Sequence, residues 1–379
     1  MGAIEVTTIS VCVAAEQLRR RVPGGIGTYA RGLLKGLGEL PAGEGPSLSL
    51  LASRAPQGPD PLAVYGYPVV ASRLPGPLMT RAWDFGLSRA GRGSDIVHSV
   101  SLAAPAVFSG TSLVVTVHDV AWRSMPEAFP ERGRRWHEAA LRRAASRAAA
   151  VIVPSQATAT AVLGAGVGIA AKRLFVVAEG ADHLGEPDAA AGAALLERLG
   201  VAGPYLLTVS TLEPRKNLRR LVEAYELARP KLAERWPLVV VGPSGWGASA
   251  SPAALGGNAG VVFAGVVDPG ALAAIYSGAR CCAYVPIVEG FGLPVVEAMA
   301  QGTPVVSSPV PSSGGASLEV DPTDVASIAE GLLAAAGDDA TRSRLRASGL
   351  ARAAELTWAA TARAHVAVWE QVATERRAP

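Results

Sequence analysis

The sequence has little of what marks a disulfide-bonded, membrane-spanning or exported protein. Its 379 residues include only three cysteines, Cys12, Cys281 and Cys282, and the adjacent pair lies inside an apolar run. Because a disulfide framework or a structural zinc site needs several regularly spaced cysteines, we interpret these thiols as buried and reduced. No stretch reaches the ~20 uninterrupted apolar residues of a membrane-spanning helix, and the N-terminus lacks the segments of a signal peptide. A cytoplasmic location is therefore expected.

Charged and aromatic residues are also scarce. Charged residues make up 18% of the chain, aromatic residues 5%, and the net charge is only +3. So small a net charge, without aromatic residues interleaved among basic ones, argues against a nucleic-acid partner. The apolar fraction of 49% favours a compact globular chain, and this length exceeds what one hydrophobic core usually fills. We therefore expect two domains.

Short β-branched runs alternate with Ala-, Leu- and Arg-rich helical stretches along most of the sequence. This alternation predicts an α/β fold in which helices cover parallel sheets. The expected strands are residues 4–14, 48–53, 95–100, 112–118, 149–154, 174–178, 205–210, 237–242, 261–265, 281–286 and 303–307.

Residues 179–188, rich in Gly, Pro and Asp, interrupt this pattern and predict an interdomain linker. We place an N-terminal domain at residues 1–184 and a C-terminal domain at 185–354. A last helix at 355–379 is expected to pack back on the N-terminal domain, because apolar residues recur in it at near-helical spacing. Ligands of such domains bind beyond the carboxyl ends of the strands, so the residues that follow each strand are the candidates for function.

The most informative stretch, residues 288–300, directly follows a predicted strand. Gly290 and Gly292 allow a tight loop, and Pro294 suits the first turn of a helix whose free N–H groups can meet a phosphate. Glu289 and Glu297 flank this turn. For either carboxylate alone, an ordinary surface or helix-start acid is an equally good interpretation.

Taken together, Glu289 and Glu297, with seven residues between them that include Gly-Phe-Gly-Leu-Pro, resemble the E-x7-E motif of retaining GT-B glycosyltransferases. The resemblance is to family 4 in particular, also called glycosyltransferase group 1. It implies two Rossmann-like domains whose parallel sheets face each other across a deep cleft. It also implies that Glu289 holds the donor sugar, that Glu297 holds the nucleotide ribose, and that the donor-binding loop is formed by Gly290, Phe291, Gly292 and Leu293.

A second candidate segment, residues 209–218, follows a strand and opens a helix. Arg215 offers a planar donor fork and Lys216 a point charge, a combination suited to a diphosphate. Solvated charges at a helix start are the alternative. The stretch resembles the family's E-P-R-K-N segment, which implies pyrophosphate binding by Arg215 and Lys216, with Ser210 and Glu213 also at the donor site.

The glycine-rich residues 23–30 lie between the first predicted strand and a helix that runs to about Leu40. They resemble the family's glycine-rich loop, which implies that Gly25 and Gly27 lie near the donor phosphates. A flexible connection is the alternative. The glycines do not follow G-x-G-x-x-G, which argues against a dinucleotide site.

His118 and Asp119 follow an apolar strand of the first domain. A single histidine at such a place is usually structural. The pair resembles the family's active-site histidine, however, which implies that His118 contacts the donor sugar and helps to stabilise charge in the transition state.

Residues 131–147 form a strongly basic predicted helix. A solvated face is one interpretation. Contact with anionic lipid head groups, or with a phosphorylated acceptor, is the other, through Arg134, Arg135 and Arg142.

The family resemblance implies a retaining hexosyltransferase of cell envelope biosynthesis, mannosyltransferase-like, that uses a nucleotide-diphosphate sugar. The acceptor hydroxyl could belong to a glycolipid, a polysaccharide or a small molecule. No cofactor and no metal are expected, because Arg215, Lys216 and helix N-termini can stabilise the departing diphosphate. The alternatives are a sugar-nucleotide epimerase of the same fold and an NAD-dependent oxidoreductase. The expected location is cytoplasmic, with peripheral association at the inner membrane face as a variant.

Overall fold

A computed structural model describes residues 8–245, 255 and 260–377. These residues divide into two compact units. Unit 1 contains the described chain up to Val120, Pro130–Gly180 and the described chain from Trp358. Unit 2 contains Ala121–Phe129 and the described part of Ala181–Thr357. Within the described part of the chain, none of the helices combines the length and the hydropathy that crossing a bilayer requires.

The described residues of unit 1 build a seven-stranded sheet of order β3-β2-β1-β5-β7-β8-β9, with every pairing parallel, and a two-stranded sheet of β4 and β6. The strands are β1 Ser10–Ala14, β2 Ser47–Ala52, β3 Val69–Ala71, β4 Arg89–Ala90, β5 Ile96–Ser99, β6 Ala106–Val107, β7 Ser112–Thr116, β8 Ala150–Val153 and β9 Leu174–Val176. Helices cover the large sheet: α1 Gly24–Gly38, α2 Gly76–Asp84, α4 Glu131–Arg147, α5 Gln156–Gly164 and α12 Trp358–Arg377.

Unit 2 repeats this architecture with a second parallel sheet, of order β12-β11-β10-β13-β14-β15. Its strands are β10 Leu206–Val209, β11 Leu238–Val241, β12 Val261–Gly265, β13 Cys281–Tyr284, β14 Val305–Ser307 and β15 Leu318–Glu319. Its described helices are α3 Ala121–Ser124, α6 Ala189–Arg198, α7 Leu218–Ala228, α8 Pro269–Gly278, α9 Leu293–Ala300, α10 Val325–Gly337 and α11 Asp339–Glu355.

The core of unit 2 explains why these segments fold as they do. Leu221 and Tyr225 of α7 and Leu332 of α10 pack in one buried cluster with the inner strands. Central strands of a parallel sheet are covered on both faces, and β10 and β13 are accordingly buried along almost their whole length. Because β10 and β13 are hydrogen-bonded neighbours, their carboxyl ends lie side by side.

The structure confirms the predicted α/β class with two parallel-sheet domains, and a strand lies within or close to each predicted strand. Residues 4–7 of the first predicted strand are outside the described residues. The short strands β3, β4, β6 and β15 were not predicted.

The prediction of a glycine-rich loop at residues 23–30 is wrong, because α1 begins at Gly24 and contains Gly25 and Gly27. Two further glycines of this helix have a packing role. A Cβ on Gly32 would lie 2.0 Å from the Trp358 ring, and one on Gly36 would lie 2.1 Å from the Trp358 carbonyl oxygen. The α1 glycines therefore let α12 lie directly against α1.

A buried chain of hydrogen bonds also ties α12 to the sheet of unit 1. His365 donates from Nδ1 to the Thr361 carbonyl (2.8 Å), so its Nε2 accepts from the Tyr29 hydroxyl (2.6 Å). Thr116 then donates to the Tyr29 oxygen and accepts from His98 Nε2, both at 2.9 Å. Burial lowers the pKa of His365 to about 4 and also lowers the pKa of His98, so both rings are neutral at pH 7.

Replacing Gly32 by alanine should destabilise the protein by about 1–3 kcal/mol, because the fully buried Trp358 ring has no room to withdraw. Gly25→Ala is the matched control on the same helix. A Cβ there meets open space, and alanine is the better helix former, so stability should stay equal or rise by up to about 1 kcal/mol. Urea unfolding followed by tryptophan fluorescence measures both; equal stability of the two variants would contradict the packing assigned to Gly32.

Candidate functional site

In unit 2, two loops meet where β10 and β13 end. The Ile287 N–H donates to the Arg215 carbonyl (3.0 Å), which joins the loop after β13 to the loop after β10. Asn217 reinforces the junction, since its Nδ2 donates to the carbonyls of Val285 (3.0 Å) and Pro322 (2.7 Å). Asn217 has a φ of 59°, which asparagine tolerates better than most residues. These hydrogen bonds join residues 210–217 and 285–292 into one surface, which we call the ledge.

Glu289 lies at the centre of this ledge, with its side chain 13% exposed. One of its oxygens, Oε2, accepts from Lys216 Nζ (2.5 Å), from the Tyr284 hydroxyl (2.7 Å) and from Arg215 Nη1 (3.4 Å). The other oxygen, Oε1, accepts no hydrogen bond from the residues that the structure describes. The carboxylate is therefore fixed through one oxygen and can accept a ligand hydroxyl through the other.

The charge of Glu289 follows from these contacts. Burial by itself would raise the pKa of a carboxyl group, but Lys216, Arg215 and the Tyr284 hydroxyl together lower the pKa of Glu289 to about 2. Burial and the nearby carboxylate raise the pKa of Tyr284, so it remains a neutral donor. Glu289 is consequently ionised at neutral pH.

Arg215 is shared between two carboxylates. Its Nη2 and Nε donate to Glu213 Oε1 at 2.9 and 3.2 Å, while Nη1 reaches Glu289 and the Val288 carbonyl. Glu213 is buried. The charges of two cations, Arg215 and Lys216, and of two carboxylates therefore compensate each other at the ledge. Any anion that binds there competes with Glu213 and Glu289 for the same hydrogen-bond donors.

Glu297, the second acid of the motif, lies on α9 and is buried. Its Oε1 is 2.9 Å from His183 Nε2, and its Oε2 accepts from the Tyr276 hydroxyl at 2.9 Å. Burial, and then the charge of Glu297, raise the pKa of Tyr276, so this tyrosine also stays a neutral donor. Both oxygens of Glu297 are thus oriented by protein donors.

The loop between the two acids has the predicted geometry. Pro294 lies in the first turn of α9, and Gly292 has a φ of 103°, which favours glycine. A Cβ on Gly292 would also lie 2.9 Å from Ser312 Oγ. Gly290, Phe291 and Leu293 are buried around this turn. Ser210, after β10, has a buried hydroxyl with no hydrogen-bond partner among the described residues.

In unit 1, His118 follows β7, and each of its ring nitrogens contacts a hydrogen-bond acceptor. Nε2 lies 2.9 Å from the Val100 carbonyl oxygen, and Nδ1 lies 3.2 Å from Oε1 of the buried Glu179. The ring packs against Tyr29 in an edge-on arrangement with 4.7 Å between the ring centroids. Burial lowers the pKa of His118, but Glu179, Val100 and Asp119 outweigh it, and the pKa is raised.

The basic helix is α4, and its arginines do not share one environment. Arg135 and Arg142 are exposed and pair with Glu131 (2.5 Å) and Glu138 (3.0 Å). Arg134 is only partly exposed and its Nε is buried, so it is not one of the exposed arginines of α4. Arg132, which was not predicted as a contact, is exposed.

Four contact residues were not predicted from the sequence: Tyr284, Tyr276, His183 and Glu179. Tyr284 ends a buried strand, a position that predicts a core residue. Glu179 and His183 lie in the predicted linker. Their partners are far away in sequence except for Glu289, five residues after Tyr284. The position of Tyr284 just before the motif is the one available signal.

The lowered pKa of Glu289 makes stability depend on pH. Its interactions stabilise the fold fully above the ordinary carboxyl pKa of 4.5, and this contribution is lost as the pH falls towards 2. Glu289→Gln should therefore be less stable than the wild type at pH 7, and the difference should shrink on acidification to pH 3. Denaturant unfolding across this range measures it.

The control for this experiment is Glu355→Gln, which removes an exposed carboxylate paired with Arg352. Such a pair contributes little, so the free energy of unfolding should change by less than about 1 kcal/mol. A constant difference between the wild type and Glu289→Gln from pH 7 to 3 would contradict the ionised state assigned to Glu289.

Two sequence families match the chain. Residues 23–183 match Glycosyltransferase Family 4, and residues 198–351 match Glycosyl transferases group 1. Both describe glycosyltransferases, which leaves the epimerase and oxidoreductase alternatives without support.

Curated relatives agree with this. The chain is 32% identical over 254 residues to the O-antigen chain mannosyltransferase B of Escherichia coli, covering 65% of this chain and 66% of the relative. It is 33% identical over 225 residues to the phosphatidyl-myo-inositol mannosyltransferase of Mycobacterium tuberculosis, covering 54% of this chain and 58% of the relative. The matched region thus spans less than two thirds of either relative, 66% of the first and 58% of the second.

Solved structures share the fold at low identity. Sucrose-phosphate synthase from Thermosynechococcus elongatus matches with a TM-score of 0.72 and 21% identity, over 97% of this chain and 100% of that one. HepE from Anabaena, in complex with UDP and glucose, matches with a TM-score of 0.68 and 19% identity, over 97% and 99%. The two family matches cover one half of the chain each. This chain therefore belongs to glycosyltransferase family 4, and its fold is of the GT-B class.

Proposed function

We propose that this protein catalyses the retaining transfer of a hexose, with mannose as the first candidate, from a nucleotide-diphosphate sugar to an acceptor hydroxyl. The observation that carries the proposal is the charged carboxylate of Glu289, held by Lys216, Arg215 and Tyr284 where β10 and β13 end. That edge is where parallel α/β sheets bind their ligands.

The ledge has the groups that a sugar diphosphate requires. Glu289 Oε1 can accept a sugar hydroxyl, while Arg215 and Lys216 can donate to diphosphate oxygens. The N-terminus of α9, at Leu293, lies four residues after Glu289 and adds free N–H groups that favour an anion. On this proposal Glu297, oriented by His183 and Tyr276, accepts from the nucleotide ribose.

The chemistry then needs no protein nucleophile. The acceptor hydroxyl attacks the anomeric carbon on the face that the diphosphate leaves, and a donor phosphate oxygen takes the proton. Arg215 and Lys216 stabilise the negative charge of the departing diphosphate, and their fixed positions avoid reorganisation during the reaction. We therefore propose a metal-independent reaction without a cofactor.

In unit 1, Gly25 and His118 also fit this chemistry. A Cβ at Gly25 would meet open space at the start of α1, so a phosphate can approach the backbone there. His118 is held by Glu179 and Val100 at the end of β7. We propose that both take part in donor recognition, as the family resemblance implies.

Mannose is proposed from the names of two relatives, the O-antigen chain mannosyltransferase B and the phosphatidyl-myo-inositol mannosyltransferase. Because several loops contribute to sugar recognition, only a comparison of donors can identify the sugar.

Calorimetric titration with GDP-mannose, UDP-glucose, UDP-GlcNAc and dTDP-rhamnose tests this proposal. We expect one donor to bind selectively, and Glu289→Ala and Arg215→Ala each to weaken it about tenfold to hundredfold, because charge-assisted hydrogen bonds contribute roughly 1.5–3 kcal/mol each. Arg219→Ala, which removes an exposed arginine of α7, is the matched control and should bind like the wild type.

Two results would count against the proposal. One is the binding of no sugar nucleotide at all, and the other is binding that is indifferent to both site variants. Exchange of the hydrogen at C2 of the donor sugar during incubation would instead identify an epimerase. Circular dichroism of each variant shows whether a loss of binding reflects a loss of folding.

We also propose that the protein associates peripherally with anionic membranes through the α2–α4 surface. This surface consists of exposed apolar side chains of α2 and the turn after it, Leu78, Phe85 and Leu87, and of exposed arginines on α2 and α4, Arg81, Arg132, Arg135 and Arg142. Arg81, Phe85, Arg132 and Trp136 line one groove of about 450 Å³.

The geometry of the surface supports this proposal. Asp84 joins the two helices, because it accepts from Trp136 Nε1 (2.9 Å) and from Arg143 (2.6 Å). Leu87 and Phe85 are 80% and 66% exposed. Apolar side chains beside arginines are the combination that binds the interface of an anionic bilayer.

Sedimentation with vesicles of phosphatidylglycerol and phosphatidylcholine measures this association. The double variant Arg132→Gln, Arg135→Gln should bind about tenfold to thirtyfold more weakly, because each arginine near an anionic surface contributes roughly 1 kcal/mol. The control Arg219→Gln, Leu227→Gln removes one exposed arginine and one exposed leucine from α7 of unit 2. Equal binding by both double variants would exclude the α2–α4 surface.

A further inference from the structure

The hydrogen bonds of His118 determine where its protons are. Its Nε2 lies 2.9 Å from the Val100 carbonyl oxygen. A carbonyl oxygen only accepts, so Nε2 must carry a hydrogen. The neutral ring would then have a lone pair on Nδ1, which lies 3.2 Å from Glu179 Oε1.

A lone pair facing a carboxylate is repulsive, so a proton must lie between Nδ1 and Glu179. Placed on the ring, this proton makes an imidazolium that donates to both of its neighbours, and the charge of the imidazolium is compensated by the carboxylate. Glu179 is 3% exposed, which means that its own charge also needs a close cationic partner. The pair thus satisfies both buried groups at once.

The groups packed around the ring favour the same state. Asp119 adds a second negative charge beside His118, and it acts in the same direction as Glu179. His98 and His365 are neutral because of their burial, so neither opposes the charge at pH 7. Tyr29 presents only its ring, since its hydroxyl is engaged with Thr116 and His365.

We propose that Glu179 is a positioning residue that holds His118 as an imidazolium, so that His118 serves as a fixed positive charge in the transfer reaction and not as a base. This inference rests on the proposed function for its role in transfer, while the protonation state stands on the geometry alone. A ring that already donates from both nitrogens has no lone pair with which to abstract a proton. Its charge can instead stabilise the negative charge that develops on the leaving diphosphate.

Titration of the histidine side chains by NMR tests the protonation state without any substrate. The His118 signal is identified by its loss in His118→Gln. In the wild type we expect His118 to remain protonated above its ordinary pKa of 6.5. Glu179→Gln keeps an acceptor at Nδ1 but removes the charge, and it should lower the proton affinity of His118 at least about tenfold. Glu179→Asp keeps the charge and should restore most of the affinity.

The matched control is Glu16→Gln, which neutralises another buried glutamate of unit 1. Glu16 accepts from the Ser53 N–H and makes no hydrogen bond with His118, so the titration of His118 should not move. The proposal is overturned if His118 titrates at or below pH 6.5 in the wild type. It is also overturned if Glu179→Gln and Glu16→Gln shift the titration of His118 equally.

The pH dependence of kcat for the selected donor tests the role in transfer. Glu179→Gln should lose activity at a lower pH than the wild type and Glu16→Gln, because its His118 loses the proton earlier. An unshifted alkaline limb in Glu179→Gln would overturn the role of the charge. If no donor is turned over, the proposed function fails, whereas the NMR titration still decides the protonation state.

Discussion

The site in unit 2 depends on one buried ionic interaction, the attraction between the Glu289 carboxylate and the cations of Lys216 and Arg215. A carboxylate that is 13% exposed stays charged only when such partners compensate for its lost hydration. The Tyr284 hydroxyl completes this arrangement on the same oxygen. Because all three donors meet Oε2, the cluster fixes the side chain and leaves the other oxygen oriented for a ligand.

The fold makes this interaction possible. Lys216 and Glu289 are 73 residues apart in the chain, yet β10 and β13 pair directly, and their following loops are joined through Arg215, Ile287 and Asn217. Unit 1 uses the same principle at the end of β7, where Glu179 and the Val100 carbonyl hold His118. In both units a side chain that lies in the loop after a strand is held by a partner from a distant segment of the chain.

The features that could be predicted are those encoded locally. The longer strands, the first turn of α9 and the paired acids of the motif follow from short patterns in the sequence. The site partners Tyr276, His183 and Glu179 could not be predicted, because each acts through a residue more than twenty positions away. The start of α1 was misassigned to a loop, because Gly24, Gly25 and Gly27 form a short glycine-rich run that locally favours a loop. The packing of Gly32 and Gly36 against Trp358, at the other end of the sequence, is likewise invisible in a local pattern.

The most direct test of this account is a crystal structure of the protein with its sugar nucleotide bound. The account predicts that diphosphate oxygens lie within hydrogen-bond distance of Arg215 and Lys216, and that a sugar hydroxyl donates to Glu289 Oε1 while Tyr284 stays on Oε2. A donor whose diphosphate lies away from both cations, or a Glu289 carboxylate that makes no contact with the sugar, would contradict it.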